Sequence, residues 1–191
     1  MGFTEETLLE TKYGRLKIKF YNGGGGGHYC LCIVKEPWGR TPFVRIQSSC
    51  LFSESFGGSD CDCSRQLQAA LKILSTEGGV IVYMFQEGRG LGLEGKIRVL
   101  EIERVKGLDT AAAFREIGEN PDLRNYAMAL NALKELGIPK AISLATNNPN
   151  KIDAATKAGF VVKKRRKLAF RKNKKIREYL QTKRKVLNHY K

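Results

Sequence analysis

Residues 79–85, Gly-Val-Ile-Val-Tyr-Met-Phe, form an unbroken apolar run with no polar residue to face water. A strand of that composition is covered on both faces, which calls for helices packed on a sheet. The neighbouring segments supply them. Arg65-Gln-Leu-Gln-Ala-Ala-Leu-Lys-Ile-Leu is amphipathic at the helical period, follows Ser64 as a good N-cap, and ends at Gly78-Gly79. Segments 123–136, closed by Gly137, and 150–158, closed by Gly159, read as helices around a strand at 141–146. Segments 14–20, 29–34 and 41–46 read as strands. The expected fold is α/β, a mixed sheet with flanking helices, and the 191 residues suit a single domain spanning 1–191.

Cys50, Cys61 and Cys63 lie close together in sequence, the last two flanking a single Asp. Two readings fit. Free cysteine is among the most buried residue types, so these are buried thiols in a reducing compartment. Alternatively, three thiolates with no fourth protein ligand describe a zinc ion with a vacant position, the arrangement of a catalytic site. Zinc acidifies a bound water to a pKa of about 7, which suits hydrolysis. The helix expected after Cys63 points its positive end at these thiols and favours their anions. Cys30 and Cys32 alternate along a strand and read as core residues.

Of the formal charge of +15, residues 163–191 carry +13, fourteen Lys and Arg against the single Glu178. This basic segment suits a phosphate backbone, an address signal, or a surface that concentrates a polyphosphate substrate. Few aromatics accompany it beyond Phe170, Tyr179 and Tyr190, so specific nucleic-acid binding is not the favoured reading. No apolar stretch is long enough to span a bilayer, the start lacks a signal-peptide profile, and the odd cysteine count does not suggest a disulfide framework. A cytoplasmic protein without membrane partners is expected. Asn22, five glycines and His28 read as a hairpin connection.

Three further runs carry chemistry. Gln86-Glu-Gly-Arg-Gly-Leu-Gly-Leu puts Glu87, Gly88 and Arg89 at a strand end, where ligands gather in open α/β sheets, although any tight turn uses such glycines. In Thr146-Asn-Asn-Pro-Asn-Lys, Pro149 suits the first helical position with Asn148 as cap. That leaves backbone N–H groups, the Thr146 hydroxyl and Lys151 as a phosphate seat, or simply a well-capped helix. Asp122 and Arg124 follow Pro121, in a segment that equally suits an exposed helix start.

Taken in order, these runs resemble the GTP cyclohydrolase II family. The resemblance is carried by residues 45–51, Cys61-Asp-Cys with Gln66-Leu, Gln86-Glu-Gly-Arg-Gly-Leu-Gly-Leu, Lys96-Ile-Arg, Asp109-Thr and Gly118. It continues through Asp122, Arg124, Leu136-Gly, Thr146-Asn-Asn-Pro, Lys151 and the tail run Glu178-Tyr-Leu-Gln-Thr-Lys. It implies a zinc-dependent opening of the GTP imidazole ring with release of pyrophosphate and formate, in riboflavin synthesis. It also implies one zinc per chain on Cys50, Cys61 and Cys63, magnesium on the triphosphate, and a homodimer. Nucleotide binding falls to Arg45, Gln66, Glu87, Gly88, Arg89, Thr110, Thr146 and Lys151, with Glu87 as acceptor for guanine N–H groups. The family roles at Asp122 and Arg124 are proton acceptor and nucleophile toward the α-phosphorus. An arginine has no free lone pair, so phosphoryl stabilisation is the alternative for Arg124.

Two positions depart from the family pattern. Leu100 stands where the family has an active-site tyrosine, and Ser49 where it commonly has Glu before the first cysteine. The first points to a product that keeps its formyl group, or to another purine nucleotide. The second removes a carboxylate that would support the metal ligands. A nucleic-acid-binding protein on the same zinc scaffold is the reading from a different class.

Overall fold

The computed structural model describes residues 1–24, 28–170 and 190. Seven strands form one sheet in the order β1-β2-β3-β5-β4-β6-β7. The strands are β1 (Gly2–Thr11), β2 (Gly14–Asn22), β3 (Tyr29–Lys35), β4 (Phe43–Ser48), β5 (Gly79–Met84), β6 (Ala141–Ala145) and β7 (Val161–Arg166). The pairs β1–β2, β2–β3 and β3–β5 are antiparallel. The pairs β4–β6 and β6–β7 are parallel, so the sheet is mixed as expected. The helices are α1 (Leu51–Glu54), α2 (Cys63–Glu77), α3 (Gly92–Lys106), α4 (Thr110–Glu116), α5 (Ala127–Glu135) and α6 (Pro149–Lys157), with a 3₁₀ turn at Glu87–Gly90.

The chain groups into two compact units interleaved in sequence. The sheet unit comprises Met1–Gln47, Arg65–Phe85 and Tyr126–Phe170; the described part of the thiolate unit is Ser48–Ser64 and Gln86–Asn125. In the sheet unit, β5 is apolar throughout because both its faces are covered. Val80, Val82 and Met84 join Cys30, Cys32, Tyr21, Leu130 and Leu133 in one cluster, while Ile81 packs with Leu16, Phe43, Ala70 and Leu74 in another. Cys30 and Cys32 are fully buried there, the core role expected for alternate residues of a strand. In the thiolate unit, Val99, Ala113 and Phe114 form a smaller cluster with Leu91, Ile102 and Ile117 packed on it.

Some boundaries differ from the sequence expectation. β1 was not anticipated, because Thr4-Glu-Glu-Thr-Leu-Leu-Glu lacks clean alternation; backbone pairing with β2 holds it in place. α2 begins at Cys63 rather than after Ser64. Residues 123–126 are not helical, since Leu123 N–H donates to the Arg89 carbonyl at 2.9 Å and the Arg124 side chain folds back onto Asp122. Most of the glycine tract, Gly25 to Gly27, and most of the basic segment 163–191 lie outside the described residues. Among the described residues, no helix is long and apolar enough to cross a membrane.

Candidate active site

The Sγ atoms of Cys50, Cys61 and Cys63 lie within 4.8 Å of one another. Cys50 caps α1 and Cys63 opens α2, so two helix starts and one short loop deliver all three thiols. Cys50 is buried, whereas Cys61 and Cys63 are half-buried. Cys50 and Cys61 are 3.7 Å apart, close enough to share a proton. The hydrogen bonds that Cys61 receives from Cys50 and Cys63 hold its thiol well below the usual range. The same contact with Cys61 pushes the Cys50 thiol up. Three sulfurs so arranged can hold a metal ion.

Lys96, from the first half of α3, approaches this cluster within the thiolate unit. Its Nζ is 3.3 Å from Cys50 Sγ, 2.7 Å from Glu87 Oε2, and 4.5 Å from the centre of the Phe52 ring. Burial pulls the ammonium pKa down, but Glu87 and the Cys50 sulfur outweigh it, so the net shift is upward and the charge is retained. Glu87 Oε1 accepts from Leu51 N–H at 2.7 Å, which ties the turn at Glu87–Gly90 to the residue after the first thiolate.

That turn is strained. Arg89 has φ of 58°, in the left-handed region that costs a residue with a Cβ about 1–3 kcal/mol. Gly90, at φ 95°, passes so close to residue 123 that a Cβ there would lie 2.8 Å from the Leu123 carbonyl carbon. The result fixes Arg89, whose Nη1 donates to the Pro121 carbonyl at 3.3 Å and whose guanidinium lies 5.7 Å from the Phe114 ring centre. Next to Pro121, Asp122 and Arg124 form a two-point pair, Nε to Oδ1 at 2.7 Å and Nη2 to Oδ2 at 2.6 Å. Their side chains are only 9% and 14% exposed, which excludes an ordinary exposed helix start. Burial works to raise the Asp122 pKa, yet the Arg124 hydrogen bonds lower it overall.

Glu103, two turns beyond Lys96 on α3, hydrogen-bonds the Thr110 side chain. Burial is the largest influence on its carboxyl and raises the pKa; Thr110 and Arg89 oppose, while Asp109 and Asp60 add to it. Ser49 Oγ, Gln86 Oε1 and Glu103 Oε1 are buried without a hydrogen-bond partner among the described residues.

The other sequence candidates belong to the sheet unit. Arg45, 5% exposed, donates to Gln47 Oε1 at 2.8 Å, to the Ala145 carbonyl at 2.9 Å and to Gln66 Oε1. Thr146 and Lys151 are also buried. Thr146 Oγ1 accepts from Asn148 N–H at 3.0 Å, and Asn148 Oδ1 accepts from Asn150 N–H at 2.9 Å, so these N–H groups are used within the turn. Lys151 Nζ donates to the Ile46 carbonyl at 2.8 Å and lies 5.4 Å from the Tyr126 ring centre. Gln47 and Glu103 escaped the sequence reading. Gln47 had a usable signal, since it follows Arg45 by two on a strand and shares its face.

A mixed α/β sheet and a unit bearing three clustered thiols define the class of protein. Residues 3–167 match the GTP cyclohydrolase II family, and the chain belongs to it. It is 37% identical over 188 residues to riboflavin biosynthesis protein RibBA of Bacillus subtilis (strain 168), covering 96% of this chain and 47% of that protein. It is 39% identical over 184 residues to RibBA of Thermotoga maritima, covering 96% and 47%. With GTP cyclohydrolase-2 of Neisseria meningitidis serogroup A it shares 36% identity over 191 residues, covering 99% of this chain and 96% of that protein. The chain thus spans about half the length of the RibBA relatives and nearly all of the Neisseria one.

Proposed function

We propose that this protein opens the imidazole ring of GTP and releases pyrophosphate and formate, leaving a diaminopyrimidine nucleotide. The observation that carries the reading is the grouping, within one unit, of three clustered thiols with a half-buried carboxylate–guanidinium pair. The thiols suit zinc: tetrahedral ligands at about 2.3 Å place sulfurs about 3.8 Å apart, and Cys50 and Cys61 are 3.7 Å apart. When bound, zinc supplies Lewis-acid activation of water for hydrolysis.

The chain's own residues then divide the remaining work. Lys96 balances the thiolate charge at Cys50 and holds Glu87 in place. Asp122, kept ionised by Arg124, is the proton acceptor. Arg124, fixed through two hydrogen bonds, presents a charged guanidinium with no lone pair to donate, so we assign it stabilisation of the phosphoryl group while water attacks the α-phosphorus and pyrophosphate leaves. Arg45, Gln66, Glu87, Gly88, Arg89, Thr110, Thr146 and Lys151 are the proposed nucleotide-binding residues. Magnesium accompanies the triphosphate, and a cytoplasmic homodimer is the proposed form.

A second reading has its own observation. Leu100 is 36% exposed on α3 and offers neither proton nor hydrogen bond where the family has tyrosine. It favours a product that has gained water but kept its formyl carbon. Incubating the zinc-loaded, magnesium-supplemented protein with GTP while following pyrophosphate, formate and nucleotide mass decides between them. Formate together with the diaminopyrimidine nucleotide supports the first reading, a retained formyl carbon the second. Absence of turnover on GTP rejects both.

A further inference from the structure

We propose that Glu103 is a further substrate-binding residue, its Oε1 accepting a hydrogen bond from the exocyclic amino group or a ribose hydroxyl of the nucleotide. The inference rests on the nucleotide reading above. Four observations within the thiolate unit carry it. Glu103 Oε1 is buried and has no hydrogen-bond partner among the described residues. A buried acceptor without a donor is costly, so the site is built for a donor that arrives with a ligand or water. The same carboxyl takes the Thr110 side chain and lies near Arg89, two residues already assigned to the nucleotide. Each oxygen of Glu87, by contrast, already accepts one hydrogen bond, from Leu51 N–H and from Lys96.

Charge narrows the ligand group. Asp109 and Asp60 add negative potential at Glu103, and a carboxylate only accepts hydrogen bonds. A phosphate brought there would meet like charge. An amino or hydroxyl group brings the missing donor without that repulsion. Glu103 therefore selects the nucleoside part of the substrate, complementing the phosphate-facing role assigned to Arg124.

The test is titration calorimetry of the full-length zinc-loaded protein with the α,β-methylene analogue of GTP, for wild type and Glu103→Gln. The same titrations use the matching inosine, 2′-deoxy and 3′-deoxy analogues, which remove the candidate donors one at a time. The substitution is expected to weaken the GTP analogue about tenfold, the scale of one hydrogen bond to a charged group. It should also shrink the penalty that wild type shows for losing one of those donors, because a neutral amide oxygen accepts a weaker hydrogen bond than a carboxylate. Glu103→Asp withdraws the oxygen while keeping the charge and should behave alike, which covers a folding defect in the first variant. Glu103→Gln binding within twofold of wild type overturns the inference and leaves the proposed function standing. A tenfold loss with every donor penalty unchanged also overturns it, making Glu103 only a support for Thr110. Failure of the wild type itself to bind the analogue overturns the nucleotide reading, and this inference with it.

Discussion

The sheet unit is held by burial and the thiolate unit by charge. Tyr21, Val44, Val82, Leu133, Ile142 and Leu144 are all fully or almost fully buried in one large cluster of the sheet unit. The thiolate unit centres on Val99, Ala113 and Phe114, and sets beside them Lys96 with Glu87, Asp122 with Arg124, and three thiols that repel one another when ionised. Its turn carries a strained Arg89, and among the described residues it holds buried oxygens of Ser49, Gln86 and Glu103 without partners, against Ser143 Oγ in the sheet unit. The residues proposed to do chemistry make poor cores, because their polar atoms must stay available to a ligand. A metal held by the three thiols, as proposed, would compensate such a unit, since its binding energy counts toward the folded state.

The largest expected effect tests that compensation. Cys61→Ser should lose the metal and lower GTP turnover by about a thousandfold or more, a barrier change on the order of 4 kcal/mol. Metal analysis beside an activity assay checks it, and full metal stoichiometry in the variant would sink the three-cysteine assignment. Next comes Leu144→Ala in β6, where truncating a fully buried leucine costs about 2–5 kcal/mol. Urea unfolding measures that loss, with zinc content expected to stay at the wild-type level under native conditions. A variant that sheds zinc in step with its stability would break the contrast between the two units.

How much could be read beforehand follows the same contrast. The apolar runs and helix-closing glycines disclosed β5, α2, α5 and α6, because burial leaves a periodic trace in residue type. β1 was missed because backbone pairing, which leaves none, defines it. The grouping of Cys50, Cys61 and Cys63 was legible because cysteine is scarce and their spacing is short, while buried thiols and metal ligands both stayed open as readings. The opposite happened at 123–126, where helix-compatible residues are instead held by Arg89 and Asp122. Glu103 looked like any charged residue on a helix; only the packing around it shows an oxygen without a donor among the described residues.

The acidic limb of stability sharpens the contrast further. Asp122 has a folded pKa below its unfolded value, so its stabilisation is complete above the unfolded pKa and is lost as pH falls through the folded one. The window opens below about pH 4. Asp122→Asn should cost about 1–2 kcal/mol at neutral pH and flatten the fall in unfolding free energy below that point. A variant whose acid limb matches wild type would remove Asp122 from the account.

The smallest effect belongs to an ion pair of the sheet unit. Glu77, at the end of α2, takes two hydrogen bonds from Arg166 in β7, at 2.7 and 2.8 Å. The geometry rivals that of Asp122 and Arg124, and the Arg166 hydrogen bond likewise lowers the Glu77 pKa. Exposure separates the two pairs, since the Glu77 side chain is 46% exposed against 9% for Asp122. Water competes for the exposed carboxylate and salt screens it, so Glu77→Gln should cost less than about 1 kcal/mol, shrinking as salt rises. Urea unfolding at low and high salt measures both properties. A cost equal to that of Asp122→Asn would mean that pair geometry, rather than burial, sets the energy, and the sheet unit would then depend on charge as the thiolate unit does.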